Sequence, residues 1–89
     1  MSYTVELSRE ALEVIEKLPL TLQRHIALEL RRLGQGPAAL SKRASSMHPP
    51  GQLFEIEYHF EELGWFIDVI FKYEREEVLL VTHVAVEAS

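Results

Sequence analysis

The segment LFEIEYHFEELGWFIDVIFKYE, residues 53–74, decides how this chain is expected to fold. Apolar and polar residues alternate along its first half, which is the period of a β-strand with one buried face and one exposed face. One face carries large apolar side chains and the other carries ionisable ones: Phe54, Ile56, Tyr58 and Phe60 against Glu55, Glu57 and His59. The segment therefore predicts a strand whose polar face decides what the protein can bind.

A second strand follows over residues 65–73 and a third over residues 78–86. The linking residues EELG and EREE are too few for a crossover, so the three strands are expected to form an antiparallel meander. In the second strand one set of alternate residues is apolar or aromatic throughout, and the other set, on the opposite face, mixes apolar and charged residues. The two sets are Trp65, Ile67, Val69, Phe71 and Tyr73, and Phe66, Asp68, Ile70 and Lys72. The third strand is apolar on both faces, and simple alternation places its His83 on the same face as Leu79 and Val81.

The N-terminal half predicts one strand and two helices. Residues 3–7 alternate as a strand, Ser8 suits a helix N-cap, and apolar spacing predicts helices near residues 9–17 and 22–33. Thr21 is the expected cap of the second helix and Gly34 its left-handed C-cap. A proline-containing surface loop is expected over residues 38–52. The predicted fold is a single α+β domain over residues 1–89, β-α-α-β-β-β, with an antiparallel sheet and a helical hairpin packed on one face.

Charge is distributed unevenly along the 89 residues, whose net charge is −5. Residues 1–50 hold seven Lys/Arg and five Asp/Glu, whereas residues 51–89 hold two and nine. The acidic half argues against a broad phosphate-binding surface on the meander. There is no cysteine, which excludes disulfides and thiolate metal sites. No apolar run reaches the roughly 18 residues that span a bilayer, and the opening residues show no signal-peptide pattern, so we expect a cytoplasmic protein without a membrane partner.

Several segments together resemble the RelE/ParE superfamily of toxins: YTVELSREALEVIEKLP, QRHIALELRRLGQGP, LFEIEY and FIDVIFKYEREEVLLVTHV. The likeness covers roughly residues 2–84. It implies a compact toxin with an open concave sheet face, neutralised by a small antitoxin protein from an adjacent gene. In the RelE branch that face binds messenger RNA within the ribosome and cuts it, with arginines and lysines holding the phosphate. In the ParE branch the target is DNA gyrase. Whether the protein forms a homodimer is also left open.

The resemblance fails at the positions that would hold phosphate. The family's two strand arginines fall on Glu57 and Asp68, and its basic loop is reduced to Lys42 and Arg43. We therefore predict a toxin-like protein whose ribonuclease activity is weak or lost. One alternative is an active ribosome-dependent mRNA endoribonuclease that relies on the remaining candidates, Lys42, Arg43, Lys72 and His83. Another is an unrelated small α+β interaction protein with the same architecture.

Each candidate also has an ordinary structural interpretation. A basic pair in a loop is usually solvated charge, and a histidine in a strand is more often structural than catalytic. Glu57 and Asp68 are more typical of a solvated or protein-binding face than of an acid/base pair. His59, Asp68 and His83 offer metal-ligand chemistry, but no local ligand spacing supports it. We predict no metal site and no cofactor.

Overall fold

The computed structural model describes residues 2–36, 42–43 and 53–88. Most of the predicted surface loop over residues 38–52 therefore lies outside the described residues. The helices and strands, named in chain order, are β1 (Thr4–Leu7), α1 (Arg9–Glu16), α2 (Leu20–Gln35), β2 (Lys42–Arg43), β3 (Phe54–Phe60), β4 (Trp65–Arg75) and β5 (Val78–Ala88). A single 3-10 turn, Glu61–Leu63, joins β3 to β4. Neither described helix is long and apolar enough to cross a membrane.

The strands form one sheet in the order β1-β5-β4-β3-β2. The antiparallel meander of β3, β4 and β5 is confirmed. The sheet as a whole is mixed, because β1 lies parallel to β5 at its edge. Short links determine the relative direction of consecutive strands only. Because β1 and β5 are far apart in sequence, the links do not predict their parallel pairing, which backbone hydrogen bonds hold in place. Thr4 N–H donates to Glu77 O at 2.8 Å and Ser8 N–H donates to Val81 O at 2.9 Å.

Both helices lie on one face of the sheet, as the apolar spacing predicts. The N-cap of α1 is Ser8, whose Oγ accepts from Ala11 N–H at 3.1 Å. The predicted cap at Thr21 is wrong, because α2 begins at Leu20 directly after Pro19. The fixed φ of proline sets the chain direction there, and its carbonyl accepts from Gln23 N–H at 3.0 Å.

Gly34 is a helical residue rather than the predicted left-handed cap, because α2 continues to Gln35. A Cβ at this position would lie 2.6 Å from the carbonyl oxygen of Tyr3. Tyr3 N–H in turn donates to Gly34 O at 2.6 Å. Glycine is therefore required by the close approach of the chain just before β1 to α2, and not by a positive φ.

A β-bulge in β5 changes which residues face the helices. Ile70 lies opposite His83, but the next residue, Phe71, lies opposite Val81, so Thr82 is the extra residue. Ser8 Oγ donates to the Thr82 carbonyl at 2.9 Å, which ties the bulge to the start of α1. The predicted common face of His83 with Leu79 and Val81 is therefore wrong. His83 lies on the face away from the helices.

The hydrophobic core fills the space between the helices and the sheet. Leu22, Ile26 and Leu33 of α2 are almost completely buried there. We call the side of the sheet that packs against the helices the covered face. The three long strands contribute these buried residues to it: Ile56, Tyr58, Ile67, Val69, Phe71, Leu79, Val81 and Val84. Among the described residues no helix lies on the other side of the same strands, and we call that side the open face.

Candidate functional site

The open face includes three cross-strand rows that run from β3 through β4 to β5. Partners that lie directly opposite each other in antiparallel strands project from the same side of the sheet. The rows are Glu55–Ile70–His83, Glu57–Asp68–Ala85 and His59–Phe66–Glu87. The alternation in the sequence predicts this grouping for β3 and β4, while the bulge at Thr82 brings the end of β5 into it.

Acidic residues occupy the centre of this face. Glu57 lies directly opposite Asp68. The two positions on which the strand arginines of the RelE/ParE superfamily fall in the sequence resemblance are therefore neighbours on adjacent strands. Glu55 joins them, and one carboxylate oxygen of each residue lies within 4.8 Å of the others. Like charges at this distance attract cations and repel a phosphate. The centre of the open face therefore suits a positively charged ligand.

A hard divalent cation could bridge this trio of carboxylates, since oxygen ligands at such spacing are those that Ca²⁺ and Mg²⁺ prefer. Exposed acidic groups also gather without a metal, so their spacing alone assigns no ion. The alternative trio His59, Asp68 and His83 does not assemble among the described residues. His59 and His83 belong to the rows on opposite sides of the Asp68 row.

The described cationic side chains on or beside this face have acidic partners. Lys72 Nζ lies 3.2 Å from Glu74 Oε2. His83 Nε2 lies 3.8 Å from Glu10 Oε2, an ion pair only when the ring is protonated. At the sheet edge Arg75 Nη2 lies 3.1 Å from Glu6 Oε2. These pairs are solvent-exposed and weak, but they reduce the positive charge available to a phosphate.

The four predicted catalytic candidates are only partly brought together. Lys42 lies opposite Glu55 in the sheet register, which extends the Glu55–Ile70–His83 row to the edge strand. Three strand spacings separate the Cα positions of Lys42 and His83, about 14 Å. Lys72 lies two residues further along β4 from Ile70, and Arg43 pairs with Phe54, which belongs to the covered-face phase. In the sheet register an acid and an apolar residue thus lie between the positions of Lys42 and His83.

One feature of the face was missed at the sequence level. Phe66 is 37% exposed, and its ring centroid lies 4.7 Å from that of His59. The two rings lie in a depression of about 340 Å³ that the central row and the His59–Phe66–Glu87 row line on the open face: Glu57, His59, Phe66, Asp68, Ala85 and Glu87. The available signal was a large aromatic side chain among the alternate positions of β4 that also hold the charged residues Asp68 and Lys72.

Comparisons with known proteins show similarity at the level of structure. No family model matches the chain, and no curated protein sequence matches it significantly. A free-state mutant of the E. coli toxin RelE superposes with a TM-score of 0.69 at 18% identity, covering 96% of this chain and 83% of that chain. The intact E. coli RelBE toxin–antitoxin complex gives a TM-score of 0.66 at 16% identity, covering 94% and 95%.

An archaeal RelE–RelB complex from Pyrococcus horikoshii OT3 is also similar, with a TM-score of 0.60 at 12% identity, covering 94% of this chain and 93% of that chain. The fold of this chain is therefore a RelE-like toxin fold, with two helices and a mixed sheet. At such low identity the likeness concerns the fold, and the function has to be argued from the site.

Proposed function

We propose that this chain is the toxin-type component of a toxin–antitoxin module, bound and neutralised by a small antitoxin protein from an adjacent gene, and that its ribonuclease activity is weak or lost. The fold supports the first part, since two of the similar structures are toxin–antitoxin complexes. The observation that carries the second part is the pair of carboxylates Glu57 and Asp68, opposite each other at the centre of the open face.

The size of the electrostatic effect favours lost activity. At an effective dielectric of about 20, a unit charge about 4 Å from a phosphate contributes roughly 4 kcal/mol before screening. An arginine would contribute this as attraction, whereas a carboxylate contributes it as repulsion. Solvent screening lowers both values at the exposed Glu57, but the difference in sign remains. RNA binding on this face is therefore expected to be poor.

Two experiments test the two parts of this proposal separately. Co-expression with the product of the adjacent gene, followed by co-purification, tests antitoxin binding, and we expect a stable complex. A ribosome-dependent cleavage assay tests activity on wild type, Glu57→Arg/Asp68→Arg and Lys42→Ala/Arg43→Ala. We expect wild type to be inert. Cleavage by wild type that the Lys42→Ala/Arg43→Ala change abolishes would contradict lost activity and support the endoribonuclease alternative.

The endoribonuclease alternative has one observation in its favour. The positions of Lys42 and His83 share a cross-strand row, and Lys72 lies on β4 two residues from Ile70, a member of that row. In that function the lysines would hold the phosphate and His83 would act as general acid or base. If wild type arrests growth without ribosome-dependent cleavage, DNA gyrase is the next target to assay. Failure to bind any neighbouring gene product would favour a stand-alone interaction protein.

A further inference from the structure

The depression around Phe66 combines an exposed aromatic ring with acidic residues on two sides. His59 lies against the ring of Phe66 with centroids 4.7 Å apart and planes tilted by 36°. Glu87 is the cross-strand partner of Phe66 on β5, and Glu57 lines the depression from β3. An aromatic face between two carboxylates is a surface that a flat cation can cover with its plane and reach with its edge.

The chemistry of this surface favours a guanidinium over other groups. A guanidinium stacks on an aromatic face through its plane while its N–H groups donate to carboxylates at its edge. A lysine ammonium offers a point charge without a plane, and it is more strongly hydrated. A nucleic-acid base could stack equally well, but its phosphate would approach the acidic row of Glu57 and Asp68. Charge complementarity therefore selects a basic protein segment over RNA.

The spacing of the rows indicates an extended ligand. Successive rows of the open face are two residues apart along each strand, or about 6.7 Å. Side chains on one face of an extended segment recur at the same interval. An arginine over Phe66 would thus be followed, two residues later, by a side chain beside the Glu57 and Asp68 row.

We infer that the depression formed by Phe66, His59, Glu57 and Glu87 binds an arginine side chain from an extended, basic segment of the antitoxin. This inference rests on the proposed function for the identity of the partner, and it adds the surface and the residue type that are recognised. It makes the acidic charge of the open face a recognition feature for a protein, rather than only a loss of phosphate binding.

Peptide binding to the full chain tests the surface without the antitoxin. The probes are two acetylated peptides, Thr-Arg-Val-Arg-Thr and Thr-Lys-Val-Lys-Thr, titrated while backbone amide chemical shifts are followed. We expect the arginine peptide to bind about tenfold more tightly and to shift residues of β4 and β5 around Phe66 and Glu87. Equal affinities for the two peptides, or shifts confined to other regions, would overturn the inference.

Substitutions separate the ring from the charge. Phe66→Leu keeps an apolar side chain but removes the aromatic face, and Phe66→Tyr restores the face. We expect Phe66→Leu and Glu87→Gln each to weaken the arginine peptide about tenfold, with Phe66→Tyr close to wild type. Glu13→Gln, on the exposed side of α1, removes the same charge elsewhere and is the matched control. Equal effects of Glu13→Gln and Glu87→Gln would mean that only net charge matters, and would overturn the inference.

The antitoxin complex distinguishes failure of this inference from failure of the proposed function. If the adjacent gene product does not co-purify with wild type, the proposed antitoxin pairing fails, and the inferred partner fails with it whatever the peptides show. If it co-purifies equally well with Phe66→Leu/Glu87→Gln, the pairing stands and the inferred surface is wrong. We expect this double variant to lose at least tenfold in affinity for the antitoxin. Tight binding of single-stranded RNA by wild type that Phe66→Leu abolishes would instead identify a nucleic-acid surface.

Discussion

The covered face and the open face are two sides of the same three long strands, yet they obey different constraints. On the covered face Ile67, Val69 and Phe71 are almost inaccessible to solvent and pack against α1 and α2. On the open face the alternate positions hold Phe66, Asp68 and other residues that neither of the two described helices covers. Packing dictates the residue types on the first face, whereas nothing in the fold requires carboxylates on the second. The residue types on the open face are therefore not set by packing, and the function of this chain has to be argued from them.

Truncating one aromatic residue on each face should give the largest contrast. Phe71 is completely buried and its ring stacks on Phe54 at 5.7 Å. Phe71→Ala is expected to lower the free energy of unfolding by about 3–5 kcal/mol, because it leaves a cavity in the core. Phe66→Ala, five residues earlier in β4 and on the open face, should cost less than about 1 kcal/mol. Chemical denaturation measures both, and similar losses would show that the open face contributes to the core.

The junction between α2 and the start of β1 offers a second contrast, at two glycines. Gly34→Ala would place a Cβ 2.6 Å from the backbone oxygen of Tyr3, whereas a Cβ at Gly36 meets no atom of the described residues within 4 Å. We expect Gly34→Ala to lower the free energy of unfolding by about 1–3 kcal/mol, because backbone has to move. Gly36→Ala should stay within about 0.5 kcal/mol of wild type. A neutral Gly34→Ala variant would mean that helix and strand are not in this close contact.

Ser8 connects the covered side of the molecule to the bulge that directs His83 to the open face. Its hydroxyl accepts from Ala11 N–H and donates to the Thr82 carbonyl. Ser8→Ala is expected to lower the free energy of unfolding by about 1–2 kcal/mol, because it removes both the helix cap and the bond to the bulge. Thr21→Ala is the control, since Thr21 lies inside α2 and does not cap it. An equal loss in both variants would contradict the observed start of α2.

The smallest expected effect concerns a buried polar group on the covered face, the hydroxyl of Tyr58. The Tyr58 hydroxyl is buried and makes no hydrogen bond within the part of the chain that the structure describes. Tyr58→Phe is therefore expected to raise the free energy of unfolding by about 1 kcal/mol at neutral pH. Burial, with a smaller contribution from the Glu29 carboxylate, raises the pKa of Tyr58 well above its ordinary value.

The raised pKa of Tyr58 also predicts a loss of stability in alkali. The unfolded chain releases the Tyr58 proton near pH 10 while the folded chain retains it, so stability is intact below that pH and falls as pH rises towards the folded pKa. The slope from one such group reaches about 1.4 kcal/mol per pH unit, and Tyr58→Phe should remove it. Denaturation at a series of pH values checks this. An unchanged alkaline slope in Tyr58→Phe would show that other groups are responsible.

The same contrast explains what could be predicted from the sequence. Alternation in residues 53–74 oriented β3 and β4 correctly, because burial of one face imposes a period of two. It failed for β5, which is apolar in both phases and contains an extra residue at Thr82. Local turn chemistry placed a cap at Thr21 and at Gly34, but Pro19 and the close approach of Tyr3 determine those positions. The Phe66 surface was missed because its meaning depends on Glu87, which is a neighbour only through the sheet register.

The central claim is that the open face has the opposite charge from one that holds phosphate, and its most direct test is the affinity for single-stranded RNA at two salt concentrations. The variants are wild type, Glu57→Arg/Asp68→Arg and, as a control with the same change in net charge, Glu13→Arg/Glu16→Arg on α1. We expect wild type to bind weakly with a shallow salt dependence, and only the open-face variant to bind at least tenfold more tightly with a steeper one. Tight wild-type binding that weakens steeply with salt, or equal gains in both variants, would contradict the claim.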